Sequence, residues 1–190
     1  MKVYYLNTSV RGVSLIEVLV TMVVLAIGLL GLAGLQMRLQ LSELESYQRT
    51  QALILLEDMA NRLSANRTNA ASYITLTPLG IGDTQPVNCA GAGQVYDTCQ
   101  WSNALKGASE QSSSSTNAGA MIGARGCIAD LGTGDQFMIT VAWQGLTPVS
   151  APVSACAAGL YDSADDSNCI NDLCRRTVST TVRVADLASP

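Results

Sequence analysis

The chain has 190 residues, of which 48% are hydrophobic and 14% are charged, and its formal net charge is −4. This length and composition fit one modest domain together with a membrane segment. There is no histidine, which excludes histidine-based acid–base catalysis, Ser-His-Asp and Cys-His chemistry, and the common histidine-containing zinc sites. The acidic balance also argues against a general nucleic-acid binder.

An uncharged apolar run over residues 18–35 dominates the N-terminal part of the chain. It is long enough to cross a hydrocarbon core of ~30 Å. Lys2 and Arg11 precede this run, and the next basic residue after it is Arg38. Because basic residues favour the cytoplasmic side, we predict a single membrane span with its N-terminus inside the cell and the rest of the chain outside.

One charged side chain stands at the start of this apolar segment. Glu17 is a carboxylate whose burial is costly unless a cation compensates it. The basic leader ends in Gly12, and Glu17 is the fifth residue after that glycine. This arrangement resembles the type IV prepilin signal. The resemblance implies that prepilin peptidase cuts between Gly12 and Val13 and that the new N-terminus is methylated, although family members usually begin the mature chain with Phe or Met.

The charge balance of the segment agrees with this resemblance. The ammonium on Val13 is the cation that a buried Glu17 needs, either in its own chain or in a neighbouring subunit of a filament. A secretory signal peptide has a shorter apolar region followed by its cleavage site, whereas here the run is longer and the cleavage motif precedes it. Of the two alternatives to a prepilin signal, a plain membrane anchor fits the sequence better than a secretory signal peptide, but such an anchor rarely carries a glutamate at this position.

The helical pattern continues beyond the apolar run. Apolar residues recur at three- and four-residue spacings from Leu41 to Leu63, with charged residues at many of the other positions. This pattern predicts an amphipathic helix over residues 37–65, continuous with a membrane or filament-core helix over residues 13–36. Polar residues from Asn66 onward end the helix.

The middle of the chain, residues 66–126, is predicted to form loops. The stretch from about Thr77 is rich in Gly, Ser, Asn and Thr, so we expect a surface region with little regular structure. The serine run over residues 112–115 is a candidate for glycosylation, although a flexible loop is the commoner use of such a run.

The pattern over residues 127–190 indicates a sheet and loops. Apolar residues alternate with others over residues 136–144, and a second alternating strand covers residues 178–184. Gly126-Cys127-Ile128 begins or precedes a third strand. Strands that cover one amphipathic helix predict an α+β head.

Four C-terminal features occur in a characteristic order: Gly126-Cys127-Ile128, residues 141–145, Cys156 and residues 175–178. Their order and spacing resemble the C-terminal pattern of the PilV-type minor pilins of type IV pili. They favour this family over the type II secretion pseudopilins, which share the N-terminal signal. Cys169 and Cys174 are not part of that pattern.

All six cysteines lie in the part of the chain that is predicted to be exported. An even number in an oxidising compartment predicts disulfides. The first prediction joins near neighbours, namely Cys89 with Cys99, Cys127 with Cys156, and Cys169 with Cys174. Exchange of partners among the last four cysteines is the alternative.

Two clusters of charged residues are candidate binding sites. The acidic cluster could ligate Ca²⁺ through oxygen donors, but its spacing matches no EF-hand loop, so we favour a solvated loop and expect no metal; it comprises Asp162, Asp165, Asp166, Asn168 and Asp172. The basic cluster could contact DNA, but ion pairs with nearby acids are the favoured use; it comprises Arg125, Arg175, Arg176 and Arg183. No nucleophile is paired with a base, so we expect neither an enzyme nor a cofactor.

The sequence therefore predicts a pilin-like α+β fold, in which a long N-terminal helix packs against a small antiparallel sheet with disulfide-stapled loops. Residues 1–12 form a cleaved leader, residues 13–36 the membrane or filament-core helix, and residues 37–190 the periplasmic or extracellular head.

The resemblance implies a minor pilin that sits in the inner membrane and then enters a type IV pilus. There it would help to prime assembly and connect a tip adhesin to the filament. Its partners would be other minor pilins, the major pilin and prepilin peptidase, and nucleic acid is not expected. The alternatives are a type II secretion pseudopilin and a pilus-borne DNA receptor.

Overall fold

The computed structural model describes residues 12, 14–109, 117, 121–162 and 168–185. The predictions for Val13, for most of the leader and for the serine run at 112–115 lie outside these residues. The described elements are α1 (Leu15–Ala65), a 3-10 helix (Arg67–Tyr73), β1 (Leu79–Gly80), α2 (Gln94–Leu105), β2 (Arg125–Asp130), β3 (Gln136–Gln144) and β4 (Arg175–Arg183). The chain divides into two compact units between Ser42 and Glu43.

In the first unit, the described structure is almost entirely the N-terminal part of α1. An 18-residue window of this helix has a mean hydropathy of 2.7, and none of that window is buried. The helix is therefore long and apolar enough to cross a membrane.

The second unit is built around a four-stranded antiparallel sheet with the order β1-β2-β3-β4. The alternating residues of β3 explain its position, because Phe137, Ile139, Val141 and Trp143 all enter the main hydrophobic core. Residues 43–65 of α1 supply the opposite side of that core, with Ala52, Leu56, Met59 and Leu63. The predicted α+β arrangement of helix and antiparallel sheet is confirmed.

The strands match the sequence analysis closely. Strand β3 has the predicted bounds. Strand β4 begins three residues earlier than predicted and ends one residue earlier, at Arg183. Strand β2 includes the segment Gly126-Cys127-Ile128, which therefore lies inside the sheet.

The prediction of loops over residues 66–126 was wrong in part, because α2 lies within that stretch. Its buried positions include Thr98, Trp101, Ser102 and Leu105, which have helical spacing, but two of them carry hydroxyl groups. Those hydroxyls are satisfied, since Thr98 Oγ1 donates to Gln94 O at 2.9 Å and Ser102 Oγ donates to Asp83 Oδ2 at 2.6 Å. Polar residues at buried positions hid the amphipathic pattern.

Three disulfides cross-link the second unit. They join Cys89 to Cys99, Cys127 to Cys156, and Cys169 to Cys174. These are the near-neighbour pairs that the sequence analysis placed first. The second bridge draws residues 154–161 onto the face of the sheet that α1 does not cover, where Cys156, Ala157 and Tyr161 form a smaller apolar cluster with Ala142.

Candidate functional site

The N-terminal signal lies at the point where α1 begins. Gly12 and Ser14 are exposed and non-helical, and the helix starts at Leu15. The carbonyl oxygen of Ser14 accepts the N–H groups of Glu17 at 3.0 Å and Val18 at 3.3 Å. The predicted cleavage bond therefore precedes the regular helix, and the described residue on its leader side, Gly12, is accessible. Val13, the predicted methylation site, lies outside the described residues.

Glu17 occupies the first turn of α1 and is exposed. A carboxylate at a helix N-terminus interacts favourably with the helix dipole, which compensates part of its charge. Within the described part of the chain, Glu17 forms no ion pair. When the segment is in an apolar environment, the rest of the compensation has to come from another cation.

The apolar run that follows is exposed along its length. Side chains such as Leu25, Leu29 and Leu30 are 64%, 65% and 74% exposed. Soluble monomers rarely expose contiguous apolar surface on this scale. A lipid phase or the matching helices of other subunits would cover it.

Two of the predicted basic residues hold the head together. Arg175 is only 3% exposed, and its Nε lies 3.0 Å from Asp172 Oδ1. Its Nη1 donates to the carbonyl oxygen of Cys156 at 2.9 Å. Arg176 donates to Glu45 Oε1 at 3.2 Å and so ties β4 to α1. Arg175 and Arg176 therefore both pair with carboxylates within the head.

The remaining two basic residues differ in exposure. Arg183 is exposed and pairs with Asp135 at 3.0 Å. Arg125 is partly buried. Its guanidinium lies 5.0 Å from the ring centre of Tyr161, which is a cation–π distance. The structure therefore does not bring the four arginines together as a free basic patch. Ion pairing, the favoured expectation, applies to Arg175, Arg176 and Arg183.

The acidic cluster is also engaged where the structure describes it. Asp162 Oδ1 accepts the N–H of Asp172 at 2.7 Å, and Asp172 Oδ1 accepts the N–H of Gly159 at 2.8 Å. Since Asp172 also pairs with Arg175, its carboxylate is already neutralised. Asp165 and Asp166 lie outside the described residues. Among those described, no group of three or more Cys, Asp or Glu side chains could hold a metal ion.

Asp83 organises the head, although no role was predicted for it from the sequence. Asp83 accepts the N–H of Gly80 at 2.8 Å and that of Gln85 at 3.1 Å, and it pairs with Lys106 beyond α2. Burial acts to raise the pKa of Asp83, but the hydrogen bonds from Lys106, Ser102 and the two backbone groups outweigh burial and lower it. A lone Asp between Gly and Thr gave no signal of this role.

A second missed network joins α1 to α2. Arg62 Nη1 donates to Asp97 Oδ1 at 3.2 Å and to Gln100 Oε1 at 2.9 Å. The Tyr73 hydroxyl donates to the same Asp97. Burial and this hydrogen bond raise the pKa of Tyr73. The network is structural, because each polar group is engaged by its neighbours.

Comparison with known proteins identifies a family motif in the N-terminal segment. The family model for the prokaryotic N-terminal methylation motif matches residues 7–33. This range contains Gly12, Val13, Glu17 and most of the exposed apolar run. The chain therefore carries a type IV prepilin-like signal. No curated protein and no solved structure matches the chain significantly.

The N-terminal signal and the fold point to the same class of protein. A long N-terminal helix, a small antiparallel sheet and three disulfides form a pilin-like α+β fold. Together with the methylation motif, these features support a type IV pilin-like or pseudopilin-like protein. The motif implies processing by prepilin peptidase and assembly with other pilins, and the apolar helix fits an anchor in the inner membrane.

Proposed function

We propose that this chain is a PilV-type minor pilin, a structural and interaction subunit rather than an enzyme. The observation that carries the proposal is the methylation motif at residues 7–33, which leads into an exposed apolar helix on a disulfide-stapled head. Before assembly the helix would anchor the chain in the inner membrane, with the N-terminus in the cytoplasm and the head in the periplasm. The chain would then enter an extracellular type IV pilus.

The arrangement of the sheet supports the finer assignment. The segments that resemble PilV-type minor pilins lie far apart in sequence, but they are neighbours in the sheet. Val141 pairs with Gly126 on one side and with Val178 on the other, and Cys156 is bonded to Cys127. A pattern that converges on one structural unit is a more specific resemblance than four separate matches.

The mechanism we propose rests on charge compensation. In the membrane, Glu17 lies near the N-terminal end of the helix. Cleavage after Gly12 creates an ammonium on Val13, and in a filament this cation would approach Glu17 of a neighbour. Pairing both charges removes the cost of burying either one alone. In the filament, the head would contact other minor pilins and help to prime assembly and to connect a tip adhesin.

The decisive experiment is the intact mass and N-terminal sequence of the chain recovered from the membranes and sheared filaments of its host. We expect a chain that begins at Val13, carries one methyl group and is present in the filaments. A chain that begins at Met1 would remove the main support for the pilus assignment.

The pseudopilin alternative shares the same motif and differs in its partners. Subunits recovered with the cross-linked chain distinguish the two, since a minor pilin would be recovered with the major pilin and a pseudopilin with secretion components. A DNA receptor is less well supported, because three of the four candidate arginines are paired with acids. Retardation of DNA by the chain, lost at high salt, would support that role.

A further inference from the structure

The two edges of the sheet differ in whether their backbone groups are free. At the β1 edge, Gly80 donates its N–H to Asp83 Oδ2 at 2.8 Å, and its carbonyl oxygen accepts the N–H of Asp83 at 3.1 Å. The turn after β1 therefore satisfies the outward-pointing groups of Gly80. This edge is closed to an added strand.

Among the residues that the structure describes, nothing covers the β4 edge. Cys174 and Val184 flank β4, and both form backbone hydrogen bonds on the β3 side. The carbonyl oxygen of Cys174 accepts the N–H of Gly145, and the N–H of Val184 donates to the carbonyl oxygen of Asp135. In an antiparallel pair, alternate residues bond to the same neighbour, so the even-numbered residues of β4 bond to β3. The backbone groups of Thr177, Ser179 and Thr181 consequently point away from the sheet. In the described part of the structure no backbone group pairs with them.

The central part of this edge lacks the usual devices that prevent strand addition. Natural edge strands are blunted by proline, by bulges, by short length or by charged side chains, and the charged residues of β4, namely Arg175, Arg176 and Arg183, lie at its two ends. Strand β4 runs through nine successive pairs with β3, without interruption, and contains no proline. Its length and regularity make it suitable for β-augmentation, in which an extended segment joins the edge through main-chain hydrogen bonds.

The side chains of β4 specify the chemistry of an incoming strand. Val178 and Val182 pack against the main core and are partly buried, whereas Ser179 and Thr181 are exposed on the other face. A strand added beside β4 would therefore place β-branched or other apolar residues on the α1 side and polar residues on the opposite side.

The charged residues near β4 further restrict the chemistry of an incoming strand. The three arginines near the ends of β4 each have a carboxylate partner, in Asp172, Glu45 and Asp135. The five residues between Arg176 and Val182 carry no charge. An uncharged strand therefore fits the edge without adding or removing an ion pair.

A second copy of this chain fits the edge poorly. Head-to-tail association would need the β1 edge, which is closed. Antiparallel twofold pairing of two β4 strands turns one head by half a rotation about an axis perpendicular to the sheet. Residues 43–65 of α1 in the two copies would then run in opposite directions, whereas subunits that share one filament axis run in the same direction. Parallel twofold pairing, about an axis along the strands, would place α1 of the two copies on opposite faces of the joined sheet, so only one of them could face a common filament core.

We propose that the open edge of β4 accepts an extended, uncharged strand from the head of a different pilin subunit. The proposal rests on the proposed function and adds the surface and the mode of contact. It makes this head a receiver at one edge only, because the opposite edge is sealed by Asp83.

The test uses the full chain produced in its host and a pair of variants at one residue. Ser179→Pro removes the outward N–H without removing a bond to β3, and proline is tolerated where the N–H of an edge strand faces solvent. Ser179→Ala is the matched control, since both variants lose the hydroxyl contact with Thr140 Oγ1 at 2.8 Å. The readout is the amount of chain in sheared filaments relative to the amount in membranes.

We expect Ser179→Pro to be cleaved after Gly12 and to unfold at a temperature close to that of Ser179→Ala, but to enter filaments at least about tenfold less. Equal incorporation of the two variants would overturn the proposal. If Ser179→Pro does not fold, the proposal is tested by comparing Thr181→Lys with its control Thr181→Gln. A lysine on an edge strand opposes strand pairing without altering the backbone.

Two further outcomes distinguish failure of the proposed function from failure of the proposed partner. Absence of the wild-type chain from filaments contradicts the proposed function itself. Differently tagged wild-type copies that associate with each other, and that are separated by Ser179→Pro, would assign the edge to a second copy and overturn the proposed partner.

Discussion

The ring of Trp101 lies directly on the backbone of Gly126. Trp101 is fully buried, and its Nε1 donates to the carbonyl oxygen of Leu55 at 2.8 Å. One side chain of α2 therefore contacts β2 and is hydrogen-bonded to α1. A Cβ atom at position 126 would overlap three atoms of the indole ring.

We expect Gly126→Ala to destabilise the head by roughly 3 kcal/mol or more, because a buried ring held by a hydrogen bond cannot move without losing contacts. Gly132→Ala is the control, since a Cβ there meets nothing within 4 Å. Its positive φ of 86° adds a strain of about 1 kcal/mol. Thermal unfolding of the detergent-solubilised chain, followed by near-ultraviolet circular dichroism, measures both, and equal losses would contradict the role of Trp101.

The ion pair of Asp83 with Lys106 should contribute measurably to stability. The Asp83 side chain is 7% exposed and receives hydrogen bonds from several donors. We expect Asp83→Asn to cost roughly 2 kcal/mol of unfolding free energy, as for hydrogen bonds to a charged group. The comparison is Asp135→Asn at the exposed Arg183 pair, where a smaller loss is expected because water screens the two charges. Urea unfolding measures the two, and a larger loss for Asp135→Asn would contradict this ranking.

The same carboxylate gives a dependence on pH. Its pKa in the folded head lies below its ordinary value of 3.8, so its favourable contribution is present above that value and is lost as the pH falls through the folded pKa. The difference in unfolding free energy between wild type and Asp83→Asn should stay constant above about pH 5 and shrink below about pH 4. A difference that grows on acidification would reverse the assigned direction of the shift.

The Cys127–Cys156 bridge should matter more than the Cys169–Cys174 bridge. The cysteines are 29 residues apart in the first and 5 apart in the second. Because a longer closed loop restricts the unfolded chain more, removing the longer bridge by paired serine substitutions should cost roughly 1 kcal/mol more. Unfolding in urea under non-reducing conditions compares the two double variants, and the opposite order would show that loop length does not control their contributions.

Glu17 should be needed for assembly and not for membrane insertion. Glu17→Ala removes the carboxylate that compensates the N-terminal ammonium in the proposed mechanism, so we expect a normal amount in membranes and at least about a tenfold loss from filaments. Glu43→Ala changes a second exposed glutamate on the same helix and should assemble like wild type. Wild-type levels of Glu17→Ala in sheared filaments would contradict the proposed pairing.

Sequence patterns predicted the elements whose side chains follow a clear period. Strand β3 could be placed to the residue because its apolar residues alternate and all enter one core. The start of β4 was placed late, because Arg175 and Arg176 appear in the sequence as surface residues. Their carboxylate partners are Asp172, three residues away, and Glu45, which is 131 residues away.

Helix α2 shows why the middle of the chain was harder. Thr98 and Ser102 occupy buried positions, while Val95 on the same helix is 62% exposed. The polar residues become buried because backbone carbonyls and Asp83 accept their hydroxyl groups. Such partners are known only once the fold is known. The N-terminal signal needed no tertiary information, because it is read from consecutive residues.

The order of the disulfides along the chain has a consequence for secretion. No bridge encloses or overlaps another, since the pairs are Cys89–Cys99, Cys127–Cys156 and Cys169–Cys174 in succession. If the head is exported progressively after its anchor, as we propose, both cysteines of each pair emerge before the first cysteine of the next pair. Oxidation in order of emergence would then give the native connectivity directly, and the head would need no disulfide isomerase.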